Sequence, residues 1–476
     1  MDLREYIEGV KSAGELREIE GADWNLEIGT ITELVAEKDG PALLFDNIKG
    51  YPKGYRVLTN FLNNSKHVNK AFGFPAEQPT LDLVRAVKDK FSQVKPLDPE
   101  EVSDGPIFEN IQEGGDLDLL QFPSPWWHEY DGGRYLGTGC MLIMRDTIDN
   151  WINVGTYRLQ LHDRDTLGSH ISPGHQGRLI REHYWTKGRS CPVVAVFGIH
   201  PLLWIPSMLA FPWGTPELHI AGGLAGKPIK VVKGKYTNLP IPYDAEIAIE
   251  GECPPPEVEA RAEGPFGEWP GYYASGENMN PVIKVKRLMF RNNPIILGAP
   301  PLKPPASGVS TYFFRAASIW QDLEHMGIPG IKGVWQLRGG SSRYYTVVSI
   351  EQRYAGHAKQ VATAAMSSPE GAWQGRFIIV VDDDIDPTNE GDVLWAVATR
   401  CDRATDIDII RDCWSNPLDP TLTPEKRTTG NLTTSKAIIN ACRPYHWKDQ
   451  YPKVNRASEE LRGKTLKKWK ELFSSL

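Results

Sequence analysis

Two glutamates that flank a loop-forming segment are the residues best suited to proton transfer. Glu263 and Glu268 are separated by Gly-Pro-Phe-Gly, a sequence that interrupts helix and strand alike. Such a loop can turn both carboxylates toward one cavity, where Phe266 and Trp269 would exclude water. A desolvated carboxyl group has a raised pKa and donates a proton near neutral pH, whereas a carboxylate paired with arginine stays ionised. A solvated acidic turn is the alternative interpretation.

The segment from Asn153 to Arg158 has the composition of a strand that carries one cation. Because side chains alternate along a strand, Asn153, Gly155 and Tyr157 lie on one face. Arg158 lies on the other face unless a bulge or turn intervenes. The alternatives are a strand with a surface arginine and a site into which Arg158 is turned.

Three histidines, His170, His175 and His183, fall within fourteen positions. The Pro-Gly pair before His175 forms a turn and places that residue at or just inside a helix start. This density favours one ligand among the three without choosing which, and exposed or simply hydrogen-bonded histidines are the alternative. Asn153, a histidine and Glu217 form a mixed oxygen and nitrogen set, which suits Mn²⁺ or Mg²⁺ at a phosphate better than structural zinc. Their spacing alone does not establish that they meet.

The elements that must position these residues are mostly short strands. From residue 135 onward, apolar or alternating runs are separated by Gly, Pro and Asn, which predicts a large β-rich domain, barrel-like or sandwich-like. Residues 308–327 predict a long helix that closes at a glycine and marks a domain boundary. The strands that follow, with helices at 357–367 and 390–400, predict a smaller α/β domain.

The N-terminal region shows helical and strand patterns in turn. Apolar residues at helical spacing predict an amphipathic helix over 2–18. Strands are predicted at 42–48 and 55–60, on either side of a Gly/Pro turn, and a helix at 81–94.

Composition excludes several classes of protein. The chain has 476 residues, and 53 Lys and Arg against 60 Asp and Glu give a net charge of −7, which argues against a nucleic-acid partner. The six cysteines include no CxxC pair, which fits free thiols in a reducing compartment.

The charged N-terminal segment lacks the apolar region of a signal peptide, and no run of ~18 apolar residues occurs. We therefore expect a cytoplasmic protein with no membrane partner. Motifs of common nucleotide-binding proteins, zinc proteases and α/β-hydrolases are absent.

Six segments, in their order along the chain, resemble signatures of the UbiD family of reversible decarboxylases, which use prenylated flavin mononucleotide (FMN). The resemblance runs from about residue 40 to the C-terminus. The segments are NVGTYRLQ, GHQG, PELHIAGGLAGKPI, EGPFGEWPGYY, YAGHAK and FIIVVDDDI…DVLWAVATR. Any one of them is a weak signal, whereas six in family order are highly specific.

The resemblance implies a metal site that holds the flavin. Asn153, His175 and Glu217 occupy positions that bind a divalent metal, usually Mn²⁺ and alternatively Mg²⁺. The metal holds the phosphate of prenylated FMN, and a K⁺ ion lies nearby. Arg158 belongs to the cofactor-binding set as well, and Lys359 of YAGHAK resembles a phosphate-contacting lysine.

The resemblance also implies a Glu-Arg-Glu catalytic network, formed here by Arg158, Glu263 and Glu268. The implied reaction is a non-oxidative, reversible decarboxylation of an aromatic or heteroaromatic (α,β-unsaturated) acid through a covalent adduct with the cofactor. Arg158 would hold the substrate carboxylate and Glu263 would position Arg158. Glu268 would protonate the carbon after CO₂ leaves. Asn440 departs from the family pattern, in which Asp is common near the substrate pocket, so the identity of the acid stays open.

The fold implied is a multidomain α+β and α/β protein. Its predicted parts are an N-terminal α/β segment (1–115), a β-rich, split-barrel-like flavin-binding domain (116–305), a connecting helix (306–327) and a C-terminal α/β oligomerisation domain (328–476). A flavin prenyltransferase would supply the cofactor, and the implied assembly is a homodimer or homohexamer. The alternatives are a metal-dependent hydrolase that needs no flavin and a non-catalytic flavin-binding subunit of a carboxylase complex.

Overall fold

The computed structural model describes residues 2–474, in which many short strands are interspersed with helices. The α-helices are α1 (Leu3–Ser12), α2 (Glu27–Ala36), α3 (Ser65–Phe72), α4 (Thr80–Ser92), α5 (Gln176–Trp185), α6 (Pro201–Trp204), α7 (Glu217–Ala225), α8 (Thr311–His325), α9 (His357–Ser367), α10 (Pro369–Trp373), α11 (Glu390–Arg400), α12 (Pro424–Thr429), α13 (Glu459–Lys468) and α14 (Lys470–Ser474). The strands are β1 (Leu16–Glu20), β2 (Ala42–Asp46), β3 (Arg56–Thr59), β4 (Glu100–Glu101), β5 (Asn110–Glu113), β6 (Tyr135–Gly137), β7 (Cys140–Arg145), β8 (Ile152–Gly155), β9 (Leu159–Leu161), β10 (Thr166–Ser169), β11 (Cys191–Phe197), β12 (Lys230–Lys233), β13 (Pro240–Pro242), β14 (Ile247–Cys253), β15 (Ala260–Glu263), β16 (Asn278–Phe290), β17 (Ile295–Leu297), β18 (Ile331–Gln336), β19 (Tyr345–Ile350), β20 (Phe377–Asp382), β21 (Ile407–Trp414) and β22 (Thr433–Ala441). None of the helices within residues 2–474 combines the length and apolar character that a membrane span requires.

The N-terminal region contains a four-stranded sheet in the order β1-β2-β3-β17. Helix α1 begins with a capping box between Asp2 and Glu5 and ends at Ser12. The prediction of a helix over 2–18 is therefore wrong beyond Ser12. Gly14 adopts a φ of 75°, and the chain then enters β1, whose pairing with β2 outweighs the local helical pattern.

A ten-stranded antiparallel sheet forms the central domain and curls into a half-barrel. Its main order is β6-β9-β10-β16-β14-β11-β7-β8, and the long strand β16 also pairs with β5 and β15. Along β11, Val193 and Ala195 belong to one apolar core, whereas Val194 and Val196 belong to the other. Both faces of the sheet are thus covered, which explains the nearly continuous apolar runs in its sequence. The predicted β-rich, split-barrel-like domain is confirmed.

Helix α8 leads from the central domain into a second, five-stranded sheet in the order β18-β19-β20-β22-β21. Strands β19, β20 and β22 pair in parallel and are connected through helices that include α9 and α11. The predicted helix at 308–327 is confirmed as α8. The helices predicted at 357–367 and 390–400 are confirmed as α9 and α11, with those bounds.

The multidomain α+β class is confirmed, whereas the predicted domain boundaries stay predictions. Strand β17 lies within the predicted 116–305 domain, yet it completes the N-terminal sheet by pairing in parallel with β3. The N-terminal region is therefore joined to the central domain through a shared strand.

Candidate active site

Arg158 lies in a short break between two strands of the central sheet. Strand β8 ends at Gly155 and β9 begins at Leu159, so residues 156–158 form the turn that the alternation argument left open. A Cβ atom at Gly155 would lie 2.4 Å from the ring of Tyr157. The position of this ring therefore requires glycine at residue 155. The turn directs Arg158 into the protein, where its side chain is 10% exposed.

Two carboxylates share the guanidinium of Arg158. Glu263 accepts two hydrogen bonds, from Nε to Oε1 at 2.8 Å and from Nη2 to Oε2 at 3.0 Å. Glu268 accepts from the remaining edge, at Nη1. The ring of Phe266 lies 5.1 Å from the guanidinium carbon and covers one face. Burial opposes the charge of Arg158, but the two carboxylates outweigh this effect and raise its pKa.

Glu263 is held by polar groups besides Arg158. The Tyr135 hydroxyl donates to Oε1 at 2.9 Å and Asn280 Nδ2 donates to Oε2 at 3.2 Å, while His170 Nδ1 lies 3.9 Å from Oε2. Burial alone would raise the pKa of Glu263, but Arg158 and these donors bring it below its ordinary value. Sequence reasoning missed Tyr135 and Asn280, since neither belongs to a motif and tertiary contact alone brings them to Glu263.

The loop that follows Glu263 is fixed by backbone contacts to a neighbouring loop. The Gly132 N–H donates to the carbonyl of Pro265 at 2.6 Å, and Gly267 N–H donates to Asp131 Oδ1 at 2.9 Å. A Cβ atom at Gly132 would lie 1.8 Å from the Gly264 carbonyl oxygen, so this close approach requires glycine. The loop buries the Glu268 side chain beside Arg158. Burial raises the pKa of Glu268 to about 7, against the opposing charge of Arg158.

The structure brings Asn153 and Glu217 into direct contact. Glu217 is the first residue of α7, where the positive end of the helix favours a carboxylate. Its Oε1 accepts from Asn153 Nδ2 at 3.0 Å and its Oε2 accepts from the Val154 N–H at 2.8 Å. Burial nevertheless raises the pKa of Glu217 to about 8.

His175 immediately precedes helix α5, as its Pro-Gly context predicted. Its ring packs edge-on against Tyr157 and Trp373, with centroid separations of 5.7 and 5.1 Å. Burial lowers the pKa of His175 to about 4, and the charge of Arg315 acts in the same direction. The imidazole is therefore neutral, which is the form that binds metals.

This donor set fits a divalent cation. Asn153 Oδ1 is buried and has no hydrogen-bond partner among the described residues. A cation at this position would satisfy that oxygen and offset the desolvation of the Glu217 carboxylate. Oxygen and imidazole donors suit Mn²⁺ or Mg²⁺. Among residues 2–474 no group of three or more His, Cys, Asp or Glu side chains is arranged for a metal, so the set depends on the amide of Asn153.

A cavity of about 510 Å³ lies between the central and C-terminal domains, within the range typical of small-molecule sites. Its wall includes Asn153, His175 and Glu217. The wall does not include Arg158, Glu263 or Glu268, but it includes Tyr157 and Trp269, the chain neighbours of Arg158 and Glu268. The remaining wall comes from the central domain, from the segment that leads into α8 and from the C-terminal domain, which contributes residues of 341–343, 369–374 and 414.

The structure does not bring Lys359 to this cavity. Lys359 lies on the outer face of α9, and its Nζ is 2.9 Å from Asp408 Oδ2. Its implied phosphate contact has no geometric support. His183 also lies outside the cavity wall and pairs with Asp146 at 3.3 Å. Asn440 likewise is not part of the wall.

Three family models match consecutive parts of the chain. They are described as the N-terminal, Rift-related and C-terminal domains of 3-octaprenyl-4-hydroxybenzoate carboxy-lyase, the UbiD protein. The matches cover residues 7–87, 100–304 and 310–441.

Two relatives named as decarboxylases are similar to this chain over nearly their whole length. The chain is 31% identical to a phenolic acid decarboxylase of Bacillus subtilis, over 93% of this chain and 92% of the relative. It is 29% identical to a pyrrole-2-carboxylic acid decarboxylase of Pseudomonas aeruginosa, over 94% and 92%. A solved structure of an evolved dimeric form of the UbiD-class enzyme HmfF from Pelotomaculum thermopropionicum, in complex with prenylated FMN (prFMN), superposes with a TM-score of 0.81. That match has 27% identity and covers 97% of this chain and 98% of the other. The chain belongs to the UbiD family.

Proposed function

We propose that this protein is a reversible decarboxylase of an aromatic or heteroaromatic carboxylic acid that works with prenylated FMN. The observation that carries the proposal is the buried guanidinium of Arg158 between two carboxylates of different character. Glu263 has a lowered pKa, whereas the pKa of Glu268 is raised to about 7. The decarboxylases among the relatives support this reaction class. They give no support to the hydrolase alternative.

Arg158 is the group that binds the substrate carboxylate in this proposal. Glu263 occupies Nε and Nη2 and stays ionised, so it fixes the plane of the guanidinium. Glu268 occupies only Nη1. When Glu268 is protonated, its hold on Nη1 weakens, and a substrate carboxylate can take that edge through a charge-assisted hydrogen bond. Trp269, the chain neighbour of Glu268, forms part of the cavity wall, so in this proposal the substrate approaches Arg158 from that part of the wall.

Bound prenylated FMN supplies the electron sink that takes up the electron pair left on carbon when CO₂ departs. Asn153, His175 and Glu217 would hold a divalent metal, Mn²⁺ or Mg²⁺, which in turn would bind the phosphate of the flavin. The unpartnered Asn153 Oδ1 and the neutral imidazole of His175 support this assignment. The K⁺ ion stays a prediction from the resemblance alone.

Glu268 donates the proton that replaces CO₂ on the substrate carbon, and it recovers a proton from solvent afterwards. In the carboxylation direction Glu268 accepts that proton, so one residue serves both directions. A pKa near 7 lets the carboxyl group exchange protons in either direction near neutral pH.

A homo-oligomer, dimeric or hexameric, is part of the proposal. None of the residues of α13 and α14 up to Ser474 is buried, although they include Leu461, Leu466 and Phe473. Exposed apolar side chains on these two helices support association with a second copy. The cytoplasmic location and a flavin prenyltransferase as supplier of the cofactor complete the proposal.

The proposal is tested by measuring CO₂ release from a panel of aromatic and heteroaromatic acids. The protein is co-expressed with a flavin prenyltransferase and compared with Glu268→Gln, which keeps the size of the side chain but cannot donate a proton. We expect the wild type to release CO₂ from at least one acid and the variant to lose that turnover while it retains flavin. Equal turnover by both proteins would exclude Glu268 as the proton donor.

A further inference from the structure

A buried amide side chain in the cavity wall has no hydrogen-bond partner among the described residues. Gln374 follows helix α10 in the C-terminal domain and is 2% exposed. Neither its Oε1 nor its Nε2 has a partner among the described residues. A buried amide without partners is unfavourable, and such groups are commonly completed by water or by a ligand. Because Gln374 forms part of the cavity wall, a ligand in the cavity can supply the missing contacts.

Arg343 lies in the same wall and is distinguished by its unpaired charge. Arg158 is paired with two glutamates, and Arg315 is paired with Glu370. The guanidinium of Arg343 has no hydrogen bond and no ion pair within the described part of the chain. Arg343 instead stacks on an aromatic ring: its guanidinium carbon lies 4.3 Å from the ring centroid of Trp269.

The surroundings of Arg343 favour an anion. Burial lowers the pKa of Arg343 and the charge of Arg315 acts in the same direction, and these effects outweigh the opposing charges of Glu370 and Glu268. An anionic ligand would reverse that effect by pairing with the cation. Amide and guanidinium N–H groups are both donors to a carboxylate.

We infer that Arg343 and Gln374 bind a second carboxylate of the substrate, so that the preferred substrates are aromatic or heteroaromatic diacids. This inference rests on the proposed function, in which the first carboxylate binds Arg158. Arg343 contacts Trp269, the residue next to Glu268, and the charge of Glu268 acts on its guanidinium, so Arg343 lies on the side of the cavity nearest the proton donor. The C-terminal domain thus contributes substrate selectivity, whereas the central domain contributes the reacting groups.

The test compares binding of benzoate and benzene-1,4-dicarboxylate to flavin-loaded protein by titration calorimetry. All proteins carry Glu268→Gln, which stops turnover and leaves the cavity wall unchanged. Arg343→Gln removes the charge, Arg343→Lys keeps it, and Gln374→Met removes the amide at similar size. Arg338→Gln is the matched control, because Arg338 lies on the same segment, outside the cavity wall, and pairs with Asp39.

We expect the reference protein to bind the diacid at least about tenfold more tightly than the monoacid, the factor that a charge-assisted hydrogen bond provides. Arg343→Gln and Gln374→Met should reduce this ratio, and Arg343→Lys should keep part of it. Arg338→Gln should leave it unchanged. Gln374→Met should also raise the thermal unfolding midpoint of the ligand-free protein, because it removes an unpaired amide from the interior.

Two results would overturn the inference. One is a diacid-to-monoacid ratio that is the same in Arg343→Gln and Arg338→Gln. The other is loss of flavin from Arg343→Gln, which would assign Arg343 to the cofactor. The proposed function is judged separately, by CO₂ release from the protein with Glu268 intact. Arg343-dependent diacid binding without CO₂ release would contradict the proposed function but would support the carboxylate-binding site formed by Arg343 and Gln374.

Discussion

The protonation state of Glu268 predicts how the decarboxylation rate depends on pH. Burial raises the pKa of this carboxyl group from 4.5 to about 7, and the negative charge of Glu263 contributes to the rise. The proton donor must be protonated at the start of its step. A raised pKa means that the protonated form persists to higher pH, so the activity is present below about pH 7 and is lost above it.

The size of the effect follows from the titration curve. With a pKa of about 7, about nine tenths of the Glu268 groups are protonated at pH 6 and about one tenth at pH 8. If Glu268 had its ordinary pKa of 4.5, only about 3% of the Glu268 groups would be protonated at pH 6. We therefore expect kcat for decarboxylation to fall about tenfold per pH unit well above pH 7. Glu263→Gln should move this fall in kcat to lower pH, because it removes the negative charge that helps to raise the pKa of Glu268.

The assay is the initial rate of CO₂ release between pH 5 and 9 with flavin-loaded protein at saturating substrate. Lys359→Ala serves as the control, since its exposed ammonium pairs with Asp408 and is not part of the cavity wall, and it should reproduce the wild-type profile. Glu268→Gln should lose a factor of about 10² to 10⁴ at pH 6. A fall in rate that is centred near pH 4.5, or a rate that rises between pH 6 and 8, would refute the assignment of Glu268 as the proton donor.

Three further predictions concern the metal set, a buried ion pair and the exposed lysine. His175→Ala should lose both divalent metal and flavin, measured by elemental analysis and absorbance, and a variant that retains both would contradict the metal assignment. Arg315→Met should destabilise the protein by about 3–5 kcal/mol in urea unfolding, because it leaves Glu370 charged and unpaired in the interior. Adding Glu370→Leu should restore most of that stability, and no recovery would show that the ion pair is not the cause. Lys359→Ala should keep its flavin and lose less than about 1 kcal/mol, since its pair with Asp408 is exposed, whereas flavin loss would support the phosphate contact.

Sequence reasoning succeeded where a local pattern persists for several turns. The helices at 357–367 and 390–400 have the predicted bounds, because their apolar residues recur at helical spacing between clear turn signals. It failed at the N-terminus, where the helical pattern of 2–18 continues past Ser12 but the backbone does not. There a left-handed glycine and pairing with β2 decide the structure, and neither is visible as periodicity.

The candidate site was predictable in its residue types but not in its geometry. The sequence placed Glu263 and Glu268 on one loop, and the structure shows both bound to Arg158. That contact depends on the turn at 156–158, for which the alternating strand pattern gave no signal. Tyr135 reaches Glu263 from a distant strand, and only the folded sheet brings the two together.

The C-terminal side of the cavity was invisible in the sequence for a related reason. Arg343 and Gln374 lie in segments that carry no motif, and an arginine or glutamine is most often exposed. What marks them is their place in the cavity wall, where the Gln374 amide is buried without a partner among the described residues and Arg343 contacts Trp269, and both are properties of the folded chain.

The most direct test of the account is the absorbance spectrum and released-ligand mass of protein co-expressed with a flavin prenyltransferase and supplied with Mn²⁺ and K⁺. The account predicts a coloured protein that releases prenylated FMN, together with a colourless His175→Ala variant. A wild-type protein that stays colourless and yields no flavin would contradict the flavin-dependent decarboxylase and favour a metal-dependent hydrolase in its place.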